Sequence, residues 1–191
     1  MPEFPEVLAF WFGSPDSPEL GRPRKCWFEK SALFDAEICS RFLDVYERAA
    51  AGELGSWQCS PLSALALAVV LDQFPRNMFR GEARAFAADA LALHVARVIA
   101  GLRFDAVLRP VERWFAYLPF EHAEDPAAQR RSLALFGSLA QDPESAGAAD
   151  YALRHYEIIA RFGRFPHRNA ILGRESTPEE IEFLEQPGSS F

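Results

Sequence analysis

The segment that most constrains this chain opens at Ser60 and Pro61, an N-cap followed by a proline at the first helical position. Residues 62–74 are then apolar nearly all round. A helix without a polar face must be enclosed by other elements, so these residues predict the most buried helix of the fold. Pro75 lacks an amide proton and pushes its predecessor out of helical geometry, which predicts an end near Phe74.

The surrounding segments also read as helices. Phe34, Ile38, Phe42 and Tyr46 recur every four residues, and Gly52 follows as a stop. Asp89 reads as the cap of a helix carrying Leu91, Val95, Val98 and Ile99, and Asp125 with Pro126 opens another carrying Leu133, Leu135, Phe136 and Leu139. A further helix is predicted over 148–162, ended by Gly163. Thr177, Pro178, Glu179 and Glu180 form a capping box that opens a short helix to about Glu185. Residues 187–191 are expected to fray. No segment alternates with period two and no Asn-Gly or Asp-Gly turn is present, so the fold class is all-α. Two architectures fit: a closed helix bundle, or helix pairs stacked as a right-handed array. No 34-residue self-similarity of the tetratricopeptide kind decides between them.

With 191 residues, 49% of them hydrophobic, the chain has material for a single α-helical domain spanning 1–191. Twenty basic side chains against 27 acidic ones give a net charge of −7, which disfavours nucleic acid and anionic membranes as partners. The longest apolar run closes at Asp72, short of the roughly 20 residues a membrane helix needs. The first residues carry Glu3 and Glu6 rather than a basic segment, so they do not look like a secretory signal and the expected location is cytoplasmic. Cys26, Cys39 and Cys59 share no C-x-x-C spacing and are expected to be reduced, buried thiols. Lys25 and Lys30 are the only lysines, so nearly all basic charge is Arg, whose planar fork suits anion contacts.

Three segments are too polar to be ordinary connectors. Residues 71–81 read LDQFPRNMFRG, residues 112–125 read ERWFAYLPFEHAED, and residues 155–174 read HYEIIARFGRFPHRNAILGR. The first and third share a Phe-Pro step followed by Arg and Asn after a long helix. Together with VLAFWFG at residues 7–13, these stretches resemble the signatures of a mainly bacterial family, domain of unknown function 924. The resemblance extends from Val7 to about Leu184. It implies a tetratricopeptide-like helical array, but it implies no activity and no catalytic residues to carry over. Ala90 departs from the pattern, where proline is as common.

Arg76, Arg80, Arg164 and Arg168 are read as loop residues following two different helices. If those loops converge, the arginines together with Asn77, His167 and Asn169 form a pocket for a small anionic ligand or an acidic peptide. The competing reading pairs the arginines internally with Asp72, Glu112, Glu121, Glu124 and Asp125. His122, His155 and His167 with nearby carboxylates supply the residue types of a hydrolytic metal site, but no H-E-x-x-H spacing is present and no metal is assigned. The candidates for proton transfer are Glu121, His122, Glu124 and His167. No G-x-S-x-G elbow, phosphate loop or dinucleotide fingerprint appears, and no cofactor is specified. Trp11, Trp27, Trp57 and Trp114 read as core or inter-helix seam, whereas an exposed Trp11-Phe12 would suggest a homodimer patch. The favoured reading is a binding module with an arginine-rich polar pocket. The alternatives are a metal-assisted or His/carboxylate-dependent hydrolase and a structural or interaction domain.

Overall fold

The computed structural model describes residues 3–190. Among them are eight α-helices and no strand: α1 (Phe4–Phe12), α2 (Ala32–Ala50), α3 (Pro61–Met78), α4 (Asp89–Gly101), α5 (Pro110–Glu121), α6 (Pro126–Gly137), α7 (Ala148–Phe162) and α8 (Pro178–Leu184). Phe191, the end of the tail expected to fray, lies outside the described residues. The predicted all-α class is present. From α2 to α7 each helix packs on the next in chain order, and α3 is touched by α1, α2, α4 and α5. Burial around α3 follows, with Ala64 to Leu71 and Phe74 all inside the core. Phe74 sits in an aromatic cluster, 5.0 Å from Phe42 and 5.6 Å from Trp11 between ring centroids.

The end of α3 departs from expectation. The helix runs through Pro75 to Met78. In the last turn a proline forgoes only its own bond back to Leu71, and its carbonyl still accepts from Phe79 N–H at 2.9 Å. Arg76 and Asn77 are therefore helical rather than loop residues. Pro119 is accommodated inside α5 in the same way. Asp89 also differs from its predicted role, since Ala88 holds the N-cap position and Asp89 is the first helical residue. Its carboxylate is left for tertiary contacts.

The cysteines are free thiols, as expected, but they are not buried: Cys26 and Cys39 are half-buried and Cys59 is exposed. Cys39 lies one residue off the stripe formed by Ile38 and Phe42, so it misses the core. Trp11 and Phe12 are buried, so they offer no dimer patch. Among the described residues no helix is long and apolar enough to cross a membrane.

Candidate functional site

The polar residues of the sequence signatures meet at the C-terminal ends of α3 and α5, the start of α4, and α7 with the turn that follows it. Asp72 and Arg76 are one helical turn apart on α3, hence on one face, and lie 3.3 Å apart. Asp72 is buried and also accepts from Gln73 Nε2 at 2.6 Å. Burial alone would raise its pKa, but Arg76 and His122 outweigh it and hold the carboxyl well below the usual range.

His122, immediately after α5, places Nδ1 at 2.8 and 3.0 Å from the two Asp72 oxygens. An ionised carboxylate only accepts, so Nδ1 carries the proton and donates, leaving the Nε2 lone pair as an acceptor. Nε2 has no hydrogen-bond partner among the described residues, and 15% of the side chain is exposed. Burial, followed by the Arg76 charge, lowers the His122 pKa against the opposing pull of Asp72, so the ring is neutral at pH 7.

Asp89 joins the two Phe-Pro segments. It sits in the fork of Arg76, with Oδ1 2.9 Å from Nη1 and Oδ2 accepting from Nη2 at 3.0 Å, and it also accepts from Arg168 Nη1 at 3.2 Å. The Arg168 guanidinium carbon lies over both the Phe86 and Phe165 rings, 4.6 and 4.5 Å from their centroids. Arg168 Nε is buried and has no acceptor. Burial and the Arg76 charge lower its pKa to about 10, so it remains a cation at neutral pH.

From α7, His155 Nδ1 donates to Tyr151 O at 2.9 Å and lies 3.1 Å from Glu121 Oε1. Its ring contacts those of His122 and Phe165, at 6.1 and 5.5 Å. Contacts thus close a circuit running His122, Asp72, Arg76, Asp89, Arg168, Phe165, His155 and back to His122. Glu121 adjoins it; burial, then the Asp72 charge, push its carboxyl up to about 8, and its Oε2 is buried without a partner. Burial, then the cation Arg168, lower His167 to about 4, and its ring packs 5.7 Å from Phe165.

The other predicted site residues lie in separate networks. Arg80 and Asn77 both donate to Asp35, joining the end of α3 to the first turn of α2. Arg164 grips Glu180 with two hydrogen bonds, at 2.7 and 2.8 Å, and Asn169 donates to the same carboxylate at 3.2 Å. Glu124 accepts from Phe165 N–H at 2.7 Å and from both ends of the Arg174 fork at 2.6 and 2.9 Å. Arg76, Glu121, His122, His167 and Arg168 are therefore brought together, whereas Asn77, Arg80, Glu124, Arg164 and Asn169 serve neighbouring latches. Among the described residues no three His, Cys, Asp or Glu side chains are grouped as a metal ion would require. A separate open concavity of about 500 Å³ between α1 and α2 holds Arg24 and Arg41, but Arg24 is spent on the Phe10 and Trp11 carbonyls and Arg41 on Glu37.

From the sequence, Asp72 is expected only as an internal partner and Asp89 only as a cap, and Phe86 has no predicted role. A signal for Asp72 was available, because an ionisable residue on a helix without a polar face must have a partner. Asp89 and Phe86 meet Arg168 only through the tertiary fold.

Fold and site together define an all-α protein with a largely buried circuit of two arginines, two aspartates and two histidines. The chain belongs to the family described as bacterial protein of unknown function (DUF924), whose model matches residues 7–188. It is similar to a solved structure of a protein of unknown function from Agrobacterium tumefaciens, with 42% identity, coverage of 96% of this chain and 97% of that one, and a TM-score of 0.83. The comparison with curated proteins finds no match.

Proposed function

We propose that this chain is a binding module for a small oxyanion, held at the Arg76, His122 and Arg168 circuit. The observation that carries the reading is Arg168: a buried cation lying over two aromatic rings, sharing with Arg76 the one carboxylate it pairs with among the described residues, and retaining an Nε–H without an acceptor. A buried donor left unmet is costly, and an anion in the guanidinium plane removes that cost. The edge of the circuit is reachable, since Arg76 and Asp89 keep 18% and 19% of their side chains exposed.

The test is calorimetric titration of the protein with inorganic phosphate at low salt. Binding is expected in the wild type and about tenfold weaker in Arg168→Lys, which keeps the charge but loses the fork. Equal affinity in both proteins, or no binding in either, overturns the reading.

The Asp72–His122 hydrogen bond favours a second reading, a hydrolase in which a carboxylate orients His122 as general base. That reading requires turnover of an ester or phosphoester that His122→Gln abolishes. Binding without turnover leaves the binding module standing alone.

A further inference from the structure

Asp89 stands where a ligand anion would. Its Oδ2 accepts from Arg76 Nη2 at 3.0 Å and from Arg168 Nη1 at 3.2 Å, so one carboxylate oxygen joins the two arginines. The fit is incomplete. Oδ1 is buried 2.9 Å from Arg76 Nη1 but out of line for a hydrogen bond, and among the described residues Arg168 Nε–H has no acceptor. A carboxylate tethered to the first residue of α4 leaves both groups unmet, whereas an untethered oxyanion is free to orient toward the arginine forks.

The arginines do not depend on Asp89 for their placement. Arg76 Nη1 also donates to Asp72 O at 2.5 Å and lies 3.3 Å from Asp72 Oδ1. Arg168 Cζ lies over the Phe165 ring, 4.5 Å from its centroid. Phe86, three residues before Asp89, carries both guanidinia, with Cζ of Arg76 and of Arg168 5.7 and 4.6 Å from its ring centroid. Withdrawing the Asp89 carboxylate therefore leaves two cations held by other contacts and short of one counter-charge. Asp89 also has an alternative position. Ala88 before it supplies no side-chain cap, so the first-turn N–H groups of α4 form a positive end that favours a carboxylate beside them. The Asp89 side chain is 19% exposed and Ala90 and Leu91 after it are exposed, so the way out is a rotation about its own side-chain bonds.

We propose that Asp89 is an autoinhibitory occupant of the anion site, and that a small oxyanion binds by displacing it from Arg76 and Arg168. This rests on the reading that the circuit binds an anion, and it adds the regulation of that site. Apparent affinity is lowered by the fraction of molecules in which Asp89 holds the arginines. The exchange puts one anion in place of another, so it leaves no unpaired cation in the interior.

The experiment compares the full chain with Asp89→Ala at constant ionic strength. Inorganic phosphate is titrated by calorimetry, and melting temperatures are measured in sodium formate with sodium chloride as control. Circular dichroism establishes that the variant is folded; if it is not, Asp89→Asn, which keeps the side-chain size, carries the phosphate comparison. The variant is expected to bind phosphate about tenfold more tightly than the wild type. Formate, the size of the missing carboxylate, is expected to raise the melting temperature of Asp89→Ala saturably and to leave the wild type unmoved. Removal of a charge at long range would not produce that rescue. Phosphate affinity equal or weaker in the variant, or a formate effect no larger than that of chloride, overturns this inference and leaves the anion-binding reading intact. No binding of phosphate by either protein overturns both.

Discussion

Glu121 has the largest bearing on pH dependence near neutrality. Its pKa rises from 4.5 to about 8 through burial and then the Asp72 charge, so its contribution to stability is complete below pH 4.5 and is lost as pH rises to 8. His155 and His167, lowered to about 3 and 4 from 6.5, act in the opposite sense and lose stability as pH falls below 6.5. Between pH 6.5 and 8 Glu121 is the one of these three that titrates differently in the two states, and the unfolding free energy should drop by about 2 kcal/mol across that window. Urea midpoints in wild type and Glu121→Gln check this, because the variant should show a flat profile there. Asp89 gives a second prediction. Asp89→Asn leaves Arg76 and Arg168 sharing a neutral amide and should cost about 2 kcal/mol by chemical denaturation. Breaking the half-exposed Arg41–Glu37 pair by Arg41→Ala should cost no more than about 0.5 kcal/mol. Equal costs would mean that the circuit is no more buried than the surface.

Among the elements, α5 ends in a way that its own sequence does not reveal. Glu121 and Ala123 expose carbonyls at its C-terminal end, and the buried Gln129 of α6 donates Nε2 to both, at 2.6 and 2.8 Å. Gln129→Leu should cost about 2 kcal/mol through those orphaned acceptors, read as a fall in melting temperature. Local signals were readable elsewhere. Asp125 caps α6 by accepting from Ala127 N–H at 2.9 Å, Gly163 ends α7 with φ of 71°, and Thr177 with Glu180 forms the predicted capping box. Pro75 and Asp89 misled because their meaning depends on position within a turn and on a distant partner. A proline ends a helix only where three more residues cannot be held by packing, and here Phe74 and Asn77 are buried. Asp89 is the first helical residue rather than the cap, and its carboxylate is taken by arginines 13 and 79 residues away in sequence.

For the molecule as a whole, the polar residues divide between a central circuit and peripheral latches, a division that spacing along the chain does not disclose. Periodicity predicts the helices because each buried stripe is a local pattern. Which arginine meets which carboxylate depends on how α3, α4 and α7 pack. The Arg164–Glu180 latch fastens α8 to a small apolar cluster of Ile158, Ile159 and Phe165, outside the main core. Arg164→Ala should therefore hasten proteolytic removal of the segment beyond Gly173 while leaving the main core folded. Peptide mapping after limited proteolysis tests this, and an unchanged cleavage rate would show that the latch holds nothing. The central claim is that the circuit around Arg168 receives an anion, and its most direct test is the Arg168 Nε–H resonance of ¹⁵N-labelled protein during titration with inorganic phosphate. A saturable shift of that resonance, with the Arg24 and Arg41 signals unmoved, is the predicted result. A stationary Arg168 resonance, or saturable shifts confined to Arg24 and Arg41, would contradict it.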